Sequence, residues 1–405
     1  MTDDTTSNQD YPRGAEALLI ALQTPALRGT MGIPTLVWGK PGEGKSSFLE
    51  GLARPGFPVL TLIASIHDPT DFSGLPIANG DRVHYAIPEW VAVFEETGQG
   101  ILFLDELTTA PPSVQAALLR VVLERKVGVH QLPDGVRIVA AANPPDLMMG
   151  GWELSPPLRN RFLHVQWSLQ AAAYKDALIN GYPEAVLPHI PPKEHALALQ
   201  RYRLLLNGFL NINPNLLSAS PEDNRYGFAS PRAWDMAMAL LASAAVLGHD
   251  PMQHPATQST LFIELLAGCV GEGIATNFLG YLRNIKMPDP LQVLEGNIQV
   301  SVAELNESEL YILFERFRTY LSEEVPDELI HRRQRVFRSL IDQVVAANRK
   351  DVIFPSVRAI AKNQRLFARL MQMSKELPGQ EGESLKQWLF AFFGDKAFND
   401  YVNTL

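Results

Sequence analysis

The sequence predicts an α/β fold: a parallel sheet layered between helices, then a helical region, then a second helical region. Three observations predict it. From Ile33 to about Trp167, short apolar runs alternate with helical stretches, the rhythm of strands joined by crossover helices. Those runs are apolar on both faces, as strands covered by two helical layers must be. After Ser168 the strand signals fade, and helical patterns separated by Pro- and Asn-rich loops carry the chain onward.

Taken in order, residues 1–10 are polar and acidic and read as a disordered leader. Leu18, Leu19, Leu22 and Leu27 at helical spacing predict a first helix over 15–28. The strands are expected at Thr35–Trp38, Val59–Ile63, Ile101–Asp105, Arg137–Ala142 and Phe162–Trp167. With the first helix they make a nucleotide-binding core over 11–168. Helices interrupted at Asn211–Asn215 and Ser218–Arg225 form a lid over 169–285, and a Pro-containing loop, Met287–Pro290, separates it from a helical region over 286–405. Amphipathic stretches there are expected at Glu304–Glu323, Glu328–Arg349 and Ser356–Glu376.

Composition narrows the function classes. The chain has 405 residues, 46% of them hydrophobic, and a net charge of −9, so a large core is available and no global basic character favours nucleic acid or anionic membrane. The one cysteine, Cys269, rules out an internal disulfide and suits a reducing compartment. Met1–Gly14 lacks the apolar run of a signal peptide. The longest uncharged apolar stretch, from Met236 to before His249, is too short to span a bilayer. A soluble, cytoplasmic protein is expected.

The chemistry starts at Gly39-Lys40-Pro41-Gly42-Glu43-Gly44-Lys45-Ser46, a full match to the phosphate-binding loop G-x-x-x-x-G-K-[ST]. It follows an apolar strand and opens a helix over Ser46–Leu52, the context the motif requires. Glycines let the backbone curl so that its N–H groups face phosphate oxygens, and the helix N-terminus adds its dipole. Lys45 neutralises β- and γ-phosphate charge, and Ser46 offers a ligand to Mg²⁺. Ile101-Leu102-Phe103-Leu104-Asp105-Glu106 is an apolar strand that ends in two carboxylates. In such a strand Asp105 holds the magnesium through water and Glu106 polarises the attacking water. The nucleotide set is therefore Gly39 through Ser46 with Ser47 and Asp105, and the metal-facing pair is Ser46 and Asp105.

Further motifs follow in order, and the whole resembles the MoxR family of AAA+ ATPases over most of 33–250. Asp68-Pro69-Thr70-Asp71-Phe72-Ser73-Gly74-Leu75-Pro76 matches the family segment D-P-x-D-x-x-G-x-P, and Val83–Pro88 is similar to the returning strand of that insert. Helix Pro111–Arg125 resembles the one after the acidic strand. A hairpin is expected across Leu132-Pro133-Asp134-Gly135, a favourable turn sequence, as the insertion before the next strand. The resemblance implies that Asn143, at the end of the fourth strand, is sensor 1. It implies that Arg161, with Arg159 as second candidate, is an arginine finger reaching a neighbour's ATP. It implies that Arg232, behind Ser230 and Pro231 at the start of a long apolar helix, is sensor 2; a cation at a helix N-terminus opposes the dipole and needs some other reward.

For function, the resemblance implies a ring, a hexamer, that hydrolyses ATP to remodel or mature a protein client beside a von Willebrand factor A domain partner. The other reading is a nucleic-acid motor or a nucleotide-switched assembly factor; a pI near 5.5 counts against a DNA motor. The histidines show no metal-ligand spacing. His331-Arg332-Arg333-Gln334-Arg335 with Arg338 is the one basic patch, and nearby Glu323, Glu324, Asp327 and Glu328 make a salt-bridged helix surface the plainer reading against a dock for an acidic partner or nucleic acid.

Overall fold

The computed structural model describes residues 11–26, 29–144, 146, 151–223, 226–250, 259–284, 288–323 and 325–362. The expected leader, Leu27 and the end of the last amphipathic stretch lie outside the described residues.

The chain opens with α1 (Ala15–Gln23), then β1 (Thr35–Trp38), α2 (Lys45–Glu50), β2 (Val59–Ile63) and the short α3 (Thr70–Ser73). A hairpin of β3 (Leu75–Asn79) and β4 (Arg82–Ala86) follows, then α4 (Glu89–Thr97), β5 (Gln99–Asp105) and α5 (Pro112–Glu124). A second hairpin, β6 (Lys126–Val127) and β7 (His130–Gln131), leads into β8 (Gly135–Ala142), α6 (Pro156–Arg159) and β9 (Leu163–Gln166). The rest is helical: α7 (Ala171–Asn180), α8 (Pro192–Ile212), α9 (Pro231–Val246), α10 (Ser259–Val270), α11 (Glu272–Asn284), α12 (Pro290–Leu294), α13 (Glu307–Leu321), α14 (Asp327–Ala346) and α15 (Lys350–Lys362).

Five strands form one parallel sheet in the order β2-β5-β8-β1-β9. Period-2 alternation sends Ile101 and Phe103 to the face covered by α1, and Leu102 and Leu104 to the face covered by α4 and α5. Each face therefore has its own core, and the central strands are buried on both sides. β2 departs from the expectation of burial on both faces: it is an edge strand and only partly covered.

The second hairpin corrects the expected turn. Lys126 pairs with Gln131 and Val127 with His130, so the chain reverses over Gly128 and Val129, where Gly128 has φ +60°. Leu132–Gly135 instead returns the chain to β8. The Arg125 guanidinium, itself reached through a left-handed backbone, donates to the carbonyls of Pro133 and Val136 and holds that return in place.

The chain divides into two compact units, one of residues 1–203 with 213–283, the other of 204–212 with 284–405. The second has its own core, in which Phe314, Phe317 and Phe337 pack edge-to-face and tilted among Leu313, Leu340 and Ile341.

Candidate nucleotide site

The parallel sheet brings the loop after β1, the acidic end of β5 and the residue after β8 to one carboxyl-terminal edge, the place where open α/β sheets bind ligands. Gly42 and Gly44 have φ +80° and +78°, which only glycine adopts at no steric cost. Lys45, half-buried, donates from Nζ to the carbonyls of Gly39 (2.7 Å) and Lys40 (2.9 Å), so the ammonium sits inside the loop. Burial pulls its pKa down, against the opposing pull of Asp105 and Glu43.

The two adjacent carboxylates face different partners. Asp105 Oδ2 accepts from Ser46 Oγ at 3.2 Å, and Asp105 Oδ1 accepts from the Glu106 amide at 2.9 Å. Glu106 has a left-handed backbone (φ 54°, ψ 40°), uncommon for a residue with a side chain, and this turns its carboxylate away from Asp105. Glu106 Oε2 accepts from Ser65 Oγ at 2.9 Å, at the end of β2, while Thr109 Oγ1 donates to the Glu106 carbonyl at 2.8 Å.

Asn143 follows the end of β8 and is half-buried. The arginines separate. Arg159 ends α6, its guanidinium lies 5.2 Å over the Phe228 ring and donates to the Pro221 carbonyl, and burial lowers its pKa. Arg161 lies in the turn between α6 and β9 and is half-buried. Between them Asn160, which sequence reasoning missed, is buried: its amide donates to the Phe228 carbonyl (2.9 Å), and its Oδ1 accepts from Ser230 Oγ (2.7 Å). Ser230 in turn caps α9 by accepting from the Ala233 amide at 3.1 Å. Pro231 and an exposed Arg232 open that helix, as the sequence predicts.

Two more residues escaped the sequence reading. Trp167 Nε1 donates to the Glu43 carbonyl (3.0 Å), and a Cβ at Gly39 would come within 3.0 Å of the Trp167 Cβ and carbonyl oxygen, so the loop lies close against Trp167. The register Trp38↔Gln166, which only the folded sheet sets, puts residue 167 level with Gly39. His164 accepts from Trp38 Nε1 at Nδ1 (2.9 Å) and donates from Nε2 to the Arg159 carbonyl (2.9 Å). Only the neutral ring can do both, and complete burial holds its pKa down to about 4.

Residues 34–162 match the AAA domain (dynein-related subfamily). This core is an AAA+ fold. The AAA domain carries a nucleotide-binding loop, and its residues fit a magnesium nucleotide: a hydroxyl and a carboxylate share the metal-facing edge, as Mg²⁺ prefers, and the glycines leave the cradle open. Over 125 residues the chain is 30% identical to the "Pathogenicity locus probable regulatory protein WtsA" of Pantoea stewartii, spanning 29% of this chain and 39% of that protein. Over 54 residues it is 52% identical to the Psp operon transcriptional activator of Escherichia coli, 12% of this chain and 17% of that one. The chain thus spans less than two-fifths of the length of these curated relatives. A solved structure of an inferred ATPase from Cytophaga hutchinsonii is similar at 18% identity and a TM-score of 0.41, over 67% of this chain and 88% of that one. Among the described residues no helix is long and apolar enough to cross a membrane.

Proposed function

We propose that this chain hydrolyses ATP in a ring-shaped oligomer, a hexamer, and uses the turnover to remodel or mature a protein client beside a von Willebrand factor A domain partner, as the MoxR resemblance implies. One observation supports this most: neighbouring carboxylates aimed at different tasks, Asp105 toward Ser46 and Glu106 toward Ser65. In this reading Gly39–Ser46 and Ser47 cradle the phosphates and Lys45 neutralises them. Ser46 and Asp105 hold magnesium, which when bound draws off charge from the β- and γ-phosphate oxygens. Glu106 takes the proton of the attacking water, Asn143 orients that water, and Arg232 senses the γ-phosphate from α9. By the same resemblance Arg161 reaches the neighbouring subunit's nucleotide, with Arg159, which holds Phe228 and Pro221, as second candidate. Client contact falls to the two hairpins, which carry exposed apolar side chains: Leu75 (56% exposed), Val83 (59%) and Val129 (71%).

ATP hydrolysis measured against protein concentration, with mass determined with and without ATP, tests the reading. A specific rate that climbs with concentration alongside an ATP-dependent ring mass supports it. A monomer that hydrolyses at a concentration-independent rate overturns the shared site. A second reading, a nucleotide-switched regulator, draws on the names of the relatives, which are a regulatory protein and a transcriptional activator. Slow turnover with nucleotide-dependent partner binding would favour it.

A further inference from the structure

The C-terminal unit carries a groove that nucleotide chemistry does not use. α14 presents Arg332, Arg335, Val336, Ser339 and Leu340 along one stripe, at spacings of three and four residues. The segment of residues 298–300, after α12, forms the opposite wall, and about 540 Å³ lies between them.

Three features of this groove converge on one ligand. The floor is apolar, lined by Val293, Val336 and Leu340, with Ile298 left 39% exposed at its edge. The rim is basic. Buried Arg333 is ion-paired with Glu295 (2.7 Å) and Glu323 (2.9 Å), which bears out the salt-bridged reading for that residue. Arg332 donates only to Asn297 Oδ1 (3.3 Å), Arg335 is exposed, and among the described residues neither has a carboxylate partner. In a chain of net charge −9, two uncompensated arginines beside an apolar floor mark a surface that awaits negative charge. The wall offers backbone: among the described residues Gln299 and Val300 lie outside any helix or strand and make no hydrogen bond, and such free N–H and C=O groups can pair with an extended chain. Among the described residues no aromatic side chain lines the groove, so these residues offer no stacking platform of the kind single-stranded nucleic acid uses.

We propose that this groove docks a short extended peptide segment of a partner protein, one in which aliphatic and acidic residues are interleaved. Its backbone runs along residues 299–300, its aliphatic side chains cover the floor, and its carboxylates meet Arg332 and Arg335 in charge-assisted hydrogen bonds. The inference does not depend on ATP hydrolysis.

A labelled short peptide alternating leucine and glutamate, titrated with the full chain and followed by fluorescence anisotropy, tests it. Saturable binding is expected, weakened about tenfold or more by the double variant Arg332→Ala, Arg335→Ala and by Ile298→Asp, and weakened again by raised salt. These positions are exposed, so the variants keep the fold, which circular dichroism checks, and ATP turnover stays at the wild-type level. The same peptide with glutamine in place of glutamate should bind more weakly. Absence of saturable binding, or equal binding by wild type and variants, overturns the proposal. So does preferential, arginine-dependent capture of a labelled oligouridylate, which would assign the surface to nucleic acid.

Discussion

Ser46 Oγ lies 3.2 Å from Asp105 Oδ2, joining the loop after β1 to the end of β5 across the intervening strand β8. That separation is close to the distance of about 3 Å between neighbouring oxygens on an octahedral Mg²⁺ whose ligands lie at about 2.1 Å. The two side chains are thus already spaced as adjacent ligands, or ligand and water-holder, of one ion.

Ser46→Ala should therefore weaken nucleotide binding about tenfold or more in the presence of magnesium, yet leave binding in EDTA near the wild-type value. Titration calorimetry with and without EDTA separates the two, and an equal loss in both would remove Ser46 from the metal site. Lys45→Ala should abolish binding under either condition, because the charge facing the phosphates is gone.

Glu106 stores backbone strain where its carboxylate is aimed. Glu106→Gly should relieve about 1 kcal/mol of left-handed strain, raising the melting temperature or leaving it unchanged, while turnover disappears. Glu106→Gln keeps the shape and should bind ATP normally without hydrolysing it. Ser65→Ala should lower kcat several-fold with nucleotide affinity intact, since it loses one positioning hydrogen bond worth about 1 kcal/mol. Normal hydrolysis by Glu106→Gln would take Glu106 out of the chemistry.

The arginines flanking Asn160 should fail in different ways. Arg159→Ala removes a cation over Phe228 and a donor to Pro221, so a fall of about 1 kcal/mol in stability should accompany any loss of activity. Arg161→Ala should abolish turnover alone and regain part of it when mixed with Glu106→Gln subunits. No recovery at any mixing ratio would count against a finger in trans.

His164 makes the fold acid-sensitive over a defined window. Its pKa is held down to about 4 in the folded protein against 6.5 for the free side chain, so between those values the unfolded chain binds more protons. Stability from this group is full above pH 6.5 and is lost as pH falls toward 4, by about 3 kcal/mol in all. Denaturant titrations of wild type and His164→Gln across that range should converge as the pH drops; parallel curves would refute the assignment.

How much was legible before folding can be argued from particular residues. The strand ends at Trp38 and Ala142 were readable because a strand buried on both faces must be continuously apolar, and its end is marked by the first glycine, polar or turn residue. The hairpin turn was misplaced because Pro133-Asp134-Gly135 is good turn chemistry locally, while the long-range grip of Arg125 on Pro133 and Val136 decided otherwise. Asn160, His164 and Trp167 were overlooked because nothing about an asparagine, a histidine or a tryptophan at a strand boundary announces its partner.

The sequence alone determined the phosphate-binding loop, the acidic strand end and the α/β layering, because each rests on spacing within a few residues, and local sterics and hydrogen bonding set those. Only the tertiary structure decided which carboxylate faces Ser46, which arginine is committed to Phe228, how Asn160 joins α6 to the cap of α9, and which carboxylates Arg333 of α14 pairs with. Those choices join residues between 10 and 70 positions apart in the chain, and such pairs are set by the order of strands and the packing of helices, which no local pattern encodes.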